Sequence, residues 1–214
     1  MIYNPPAFRE TDLPAMHAQI SASGLATLIT VGADGPIVSH LPMLLDPKAG
    51  AFGTLTGHVA RANPQWQQSD FGKLAIAMFM GPDAYISPSW YPSKAEHGKV
   101  VPTWNYSAIY ARGTIETFDD ADELRAHVSA LSEHFERSMP KPWQVNDAPE
   151  DYLQRQVKGI VGLRLTIGAL EGKSKLSQNR AKADYDSVAA ALSTSERPDA
   201  RVVGHMMKQR SSAG

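Results

Sequence analysis

Leu25-Ala26-Thr27-Leu28-Ile29-Thr30-Val31, then Gly32-Ala33-Asp34-Gly35-Pro36, then Ile37 through Leu45 is the stretch that decides the fold class. Two runs rich in β-branched and aliphatic residues flank a Gly/Asp/Pro turn, the chemistry of a β-hairpin. Asp46-Pro47-Lys48-Ala49-Gly50 turns the chain again into a strand at Ala51–Thr56. Further along, Leu74–Met80 is a fully apolar strand, and Gly81-Pro82-Asp83 leads into a short one at Ala84–Ser87. Thr103–Phe118 is the longest strand, with Trp104, Tyr106, Ala108 and Tyr110 on one face and Ile109, Ala111 and Ile115 on the other. Gly113 marks a bulge or bend within it. Ile160–Ile167 follows, with Val161, Leu163, Leu165 and Ile167 facing inward.

Helices fall between these strands in groups rather than alternating with them. Thr11–Ser23 carries Leu13, Met16 and Ile20 on one face, and Gly24 stops it. Asp120–Phe135 opens on a capping-box-like Asp120/Glu123 pair and places Leu124, Val128, Leu131 and Phe135 on one stripe. Pro149–Lys158 and Ala181–Leu192 complete the set. Six or seven strands at hairpin spacing argue against a parallel βαβ sheet and for a closed or partly closed antiparallel barrel decorated by α-helices. Residues 1–192 read as one domain. The tail, 193–214, reads as loose and polar apart from Val202–Met207.

Composition narrows the function classes. The chain has no cysteine, which removes disulfides, thiolate catalysis and cysteine-ligated metal centres. A formal net charge of −1 argues against a non-specific nucleic-acid binder, whose affinity comes from neutralising phosphates. No secretory leader or membrane-length apolar run is visible, so a soluble, cytoplasmic protein is expected. The histidines show no metal spacing, and no dinucleotide fingerprint, P-loop or nucleophile elbow appears.

Three clusters can carry chemistry. Thr56-Gly57-His58-Val59-Ala60-Arg61-Ala62-Asn63-Pro64-Gln65-Trp66 leaves a strand and enters a helix, where His58 and Arg61 offer charge-assisted donors for a phosphate. The same residues also suit a plain strand–helix junction, with Asn63 capping and Trp66 packing. Lys173–Lys182 is a second cationic junction, readable as a phosphate contact or as a solvated basic loop. Tyr85–Pro92 and Val101–Tyr106 flank one loop and supply Tyr and Trp faces suited to a planar ring.

Taken together, Ser39-His40-Leu41-Pro42, Gly57–Pro64, Tyr85–Tyr91, Val101–Tyr106 and Lys175–Arg180 resemble, in order, the motifs of the PaiB-type family, a branch of the FMN-binding split-barrel proteins. That resemblance implies a mainly β fold, a six-stranded antiparallel Greek-key split barrel, and a homodimer with flavin at the subunit interface. On it, Arg61, Lys175 and Arg180 would meet the FMN phosphate. Ser39, His40, Gly57, His58, Asn63 and Gln178 would contact ribityl or ring polar groups, with Leu41, Val59, Ala60, Ser177 and Asn179 beside them. Trp104 and Tyr106 would close the ring pocket. Family members are described as negative transcriptional regulators, which implies a regulatory role, with any direct DNA contact expected to be weak. The alternative is a flavin-dependent oxidoreductase of the flavin reductase or pyridoxamine-phosphate oxidase-like type. A haem-binding or haem-degrading split barrel, suggested by His205 in the tail, ranks third.

Overall fold

The computed structural model describes residues 2–212. Its strands are β1 (Arg9–Glu10), β2 (Ala26–Gly32), β3 (Gly35–Leu41), β4 (Met43–Asp46), β5 (Thr54–Ala60), β6 (Ala75–Ile86), β7 (Thr103–Phe118) and β8 (Ile160–Lys175). The helices are α1 (Leu13–Ala22), α2 (Gln65–Gln68), α3 (Ser93–His97), α4 (Ala121–Glu136), α5 (Glu150–Lys158), α6 (Lys182–Ser193) and α7 (Pro198–Ser212). The strands form one sheet in the order β3-β2-β6-β7-β8-β5-β4, with β1 pairing β8. The β2–β3 hairpin has the register Gly32↔Gly35 to Ala26↔Leu41, and β5 lies antiparallel to β8 from Thr54↔Thr166 to Ala60↔Ile160.

The sheet is open, and it has eight strands where six were expected. Pro42 explains part of the difference. It has no N–H to give to a ladder, so the single strand read over Ile37–Leu45 splits there. The two pieces, β3 and β4, become the opposite ends of the sheet path. Elsewhere two expected strands fuse, because β6 runs through Gly81-Pro82-Asp83 without a break. β8 continues past Ile167 to Lys175, so Lys173 and Lys175 stand on a strand and not in a loop.

The chain divides into two compact units, and each of the long strands β6, β7 and β8 contributes to both. One unit holds Leu13–Phe79 and Tyr110–Leu170. Its core includes Ile20, Leu28, Leu55, Leu163, Leu165 and Ile167, all fully buried. Here α4 begins at Asp120, whose carboxylate accepts from the Asp122 and Glu123 amides. Leu124, His127 and Leu131 are the residues it buries, while Phe135, expected on that stripe, is exposed. Gly113 is needed for close approach: a Cβ there would sit 1.8 Å from the Thr166 carbonyl oxygen.

The other unit holds the residues up to Asp12, Met80–Ile109, and the chain from Glu171 onward. Ala84, Ile86, Tyr91, Leu176, Val188, Leu192, Val203 and Met207 form its core. The expected loose tail is α7, because Ala200, Val203 and Met207 present one apolar face that buries completely. Gly204 lets α7 approach α6, since a Cβ would lie 2.9 Å from the Ser193 amide nitrogen.

Candidate functional site

The first cluster gathers where β5 ends. The Asn63 amide nitrogen donates to the Ala60 carbonyl at 2.8 Å, closing a tight turn over residues 60–63. The Asn63 side chain then works in two directions. Its Nδ2 donates to Ser39 Oγ on β3 at 2.9 Å, and its Oδ1 accepts from the Gln65 amide at 2.9 Å. Gln65 is fully buried and donates through Nε2 to Thr30 Oγ1 and the Ile37 carbonyl. A hydrogen-bonded chain Thr30–Gln65–Asn63–Ser39 thus ties the β2–β3 hairpin to the turn. Gln65 carried no signal in the sequence, since a lone Gln in a short helix reads as surface.

Arg61 sits within this turn, and its guanidinium is held by the backbone. Nε donates to the Lys158 carbonyl and Nη2 to the Ile160 carbonyl, both at 2.9 Å, and the group lies 5.9 Å over the Trp66 ring. An arginine carries five N–H groups, so three remain for a ligand in a fixed orientation. The helix-terminus part of the expectation does not hold. α2 has only four residues, and Asn63 already occupies the Gln65 amide. What an anion would meet here is side-chain donors, chiefly Arg61.

Other residues proposed for this cluster have different surroundings. Leu41 and Val59 are buried core residues, and Gly57 packs against Leu41, Pro42 and Met43. His40 is exposed and pairs across the hairpin with Thr27 through Nδ1 at 3.1 Å. His58 turns to α4, its Nδ1 3.1 Å from His127 Nε2, with the rings edge-on. Burial pushes the His127 pKa down to about 4, helped by His58, and burial lowers that of His58 as well. His58 is therefore committed to a neighbour 69 residues away, a pairing invisible in the sequence.

The second cluster lies in the other unit. Lys175 Nζ donates to Thr103 Oγ1 at 2.6 Å and to the Trp104 carbonyl. Ser177 has a left-handed backbone, φ 63°, and its hydroxyl donates to Asn105 Oδ1 at 3.0 Å. Asn105 is fully buried and also donates to Met207 Sδ on α7. Gln178 is folded back: Oε1 accepts from the Leu176 amide and Nε2 donates to the Ser174 carbonyl, so both ends are already engaged. Asn179 is exposed, and Arg180 lies 4.9 Å over the Tyr91 ring. Trp104 is half exposed and meets Tyr85 edge-to-face at 5.9 Å, while Tyr106 lies under the Lys173 ammonium at 5.4 Å. Burial, then the neighbouring charges of Lys173 and Arg180, holds the Lys175 pKa below the usual lysine range.

Each cluster offers cations, hydroxyls and amides, and the second adds accessible aromatic faces. That is a donor set suited to a phosphate-bearing, polyol-linked planar ligand. Among the described residues, no group of three or more His, Cys, Asp or Glu is placed to hold a metal ion, and no helix is long and apolar enough to cross a membrane.

Comparison with known proteins defines the class. Two solved structures share the fold: flavocytochrome Anf3 from Azotobacter vinelandii, with TM-score 0.57, 12% identity, and 83% of this chain and 74% of that chain covered; and the FAD and heme binding protein from Mycobacterium smegmatis, with TM-score 0.57, 15% identity, and 91% and 96% covered. At such identities they establish the fold alone, which is the split-barrel type with added helices. Residues 2–169 match the family model described as "Putative FMN-binding domain". Over 209 residues the chain is 31% identical to Protease synthase and sporulation protein PAI 2 of Bacillus subtilis, covering 98% of each. The chain belongs to the PaiB-type family of FMN-binding proteins, and FMN is the cofactor of its matched domain.

Proposed function

We propose that the chain is a flavin-responsive regulator of PaiB type, in which bound FMN biases a conformation or a partner contact. The turn over residues 60–63 is the observation that carries the cofactor assignment. A guanidinium tethered to two carbonyls, beside an Asn63–Ser39 pair with spare N–H and O–H donors, suits a phosphate and the hydroxyls of a ribityl chain. Ala60 opens that turn, and His40 follows Ser39 on β3. The cluster of the other unit, with the Trp104 and Tyr106 ring faces and the Lys175, Ser177 and Arg180 donors, is a second candidate place for the same ligand. When bound, FMN supplies one- or two-electron redox chemistry, and the protein sets its exposure and electrostatics.

The name of the Bacillus relative links it to protease synthesis and sporulation, which supports a regulatory role. A second copy of the chain is the partner proposed to cover Tyr85, Val101 and Trp104, which are exposed in the single chain. With a net charge of −1, any action on transcription runs through partners or weak DNA contacts rather than a strong direct grip.

Comparing FMN with riboflavin on the Arg61→Ala protein tests the cofactor site. Losing charge-assisted contacts should cost FMN about 1.5–3 kcal/mol, roughly tenfold to a hundredfold in affinity, and riboflavin little. Equal weakening of both ligands would make Arg61 a structural clamp only. Turnover-linked bleaching of the flavin by NAD(P)H would move the protein to the oxidoreductase class.

A further inference from the structure

Between α4 and the loop that follows it lies a cleft of about 510 Å³, a volume within the range of small-molecule sites. Its lining falls wholly in the unit that holds Tyr110–Leu170 and shares no residue with either cluster described above. On the helix side Ser129, Ser132, Glu133, Glu136 and Arg137 recur at i, i+3, i+4, i+7 and i+8, one continuous stripe. α4 buries Leu124, His127 and Leu131, so this is its polar stripe, which an amphipathic helix ordinarily leaves to water. Here residues 142–146 form a facing wall. The Trp143 amide donates to Glu136 Oε2 at 3.0 Å, Arg125 Nη2 of α4 donates to Asn146 Oδ1 at 3.2 Å, and Val145 is buried. The loop is thus anchored to the helix at two points. Trp143, 43% exposed, contributes to the wall next to the Glu136 carboxylate.

The charges of this cleft have no partners of opposite sign. Glu133 precedes Arg137 by four residues, the order and spacing that favour an intrahelical ion pair. The same spacing does pair Asp151 with Arg155 at 2.8 Å and Lys182 with Asp186 at 2.6 Å. Among the described residues, Glu133, Glu136 and Arg137 form no ion pair. Both carboxylates also stand in the last turn of α4, where the helix dipole disfavours negative charge and favours a cation.

We propose that the cleft is a site for a free α-amino acid with an apolar side chain. Glu133 and Glu136 receive its ammonium, and Arg137, a helical turn beyond Glu133, receives its carboxylate. The Trp143 ring packs against the side chain. Unpaired charges of both signs favour a zwitterion, because a simple cation or anion leaves one sign unmet. The site uses no residue of the flavin reading and stands or falls separately from it.

Calorimetric titration of the full chain with L-leucine, L-methionine, L-phenylalanine and L-tryptophan tests it, each as the free amino acid, the N-acetyl derivative and the methyl ester. At least one free amino acid should bind at millimolar or lower concentration, and masking either end should weaken it roughly tenfold. Glu133 and Arg137 are both exposed, so Glu133→Gln and Arg137→Gln should fold as the parent does. Glu133→Gln should reproduce the loss caused by acetylation and Arg137→Gln the loss caused by esterification. Each variant should then be indifferent to the mask on the end it no longer holds. Absence of binding by all four amino acids would overturn the site. So would N-acetyl derivatives that bind as tightly as the free forms, or affinities that neither variant changes.

Discussion

Lowering the pH from about 7 to about 5 should destabilise the protein through one histidine pair. His127 on α4 and His58 on β5 face each other with nitrogens 3.1 Å apart, so the contact accommodates one shared proton. Phe118 lies edge-on to His127, and the Arg164 guanidinium lies 5.0 Å over the Phe118 ring while pairing with Glu116 and with Glu123 of α4. A second proton would place an imidazolium between apolar walls, and the His127 pKa falls to about 4 as a result. The unfolded chain, with ordinary histidines, binds protons first. Stability is therefore complete above the ordinary histidine pKa of about 6.5 and is lost as the pH falls toward 4. Between about pH 7 and about pH 5 the loss works out at roughly 2 kcal/mol, and less where water reaches the rings. Depressed carboxylates such as Glu150 act below this window, so the histidines dominate within it. Urea unfolding across the range should show the slope, and His127→Leu should flatten it, whatever its baseline stability. A His127 ring resonance titrating near 6.5, or a parent profile flat over the window, would refute the account.

Two further outcomes follow from the geometry. Gly113→Ala should cost at least ~3 kcal/mol in urea unfolding, because its Cβ would overlap the Thr166 carbonyl and force β7 and β8 apart; a change within ~0.5 kcal/mol would mean the strands do not approach so closely. Light scattering should report about twice the chain mass of 23.2 kDa, with a charge placed at Trp104 reducing it; a monomer that still binds flavin would leave Tyr85 and Trp104 unexplained as a contact face.

The long periodic elements were legible in the sequence. β7 shows its alternation over sixteen residues, and α4 announces itself through Asp120. Boundaries were not. Pro42 splits a run, Ile37–Leu45, that reads as one strand, and Gly81-Pro82-Asp83, sound turn chemistry taken locally, is absorbed into β6 because its neighbours on both sides pair in the sheet. Ala200, Val203 and Met207 had helical spacing in plain view, but the polar residues around them read as solvated tail. In the candidate site, Arg61 and Asn63 were readable as a polar strand–helix junction, and Ser39 entered only through the family resemblance. Gln65 and His127 were not, because each owes its role to partners brought together only by the fold.

Titration of FMN into flavin-free protein, followed by flavin fluorescence, addresses the central claim most directly. Saturable, stoichiometric quenching by FMN, with riboflavin binding clearly more weakly, is the expected result. Well-folded protein that leaves FMN fluorescence unchanged, or binds riboflavin equally well, would contradict a flavin site built on phosphate recognition.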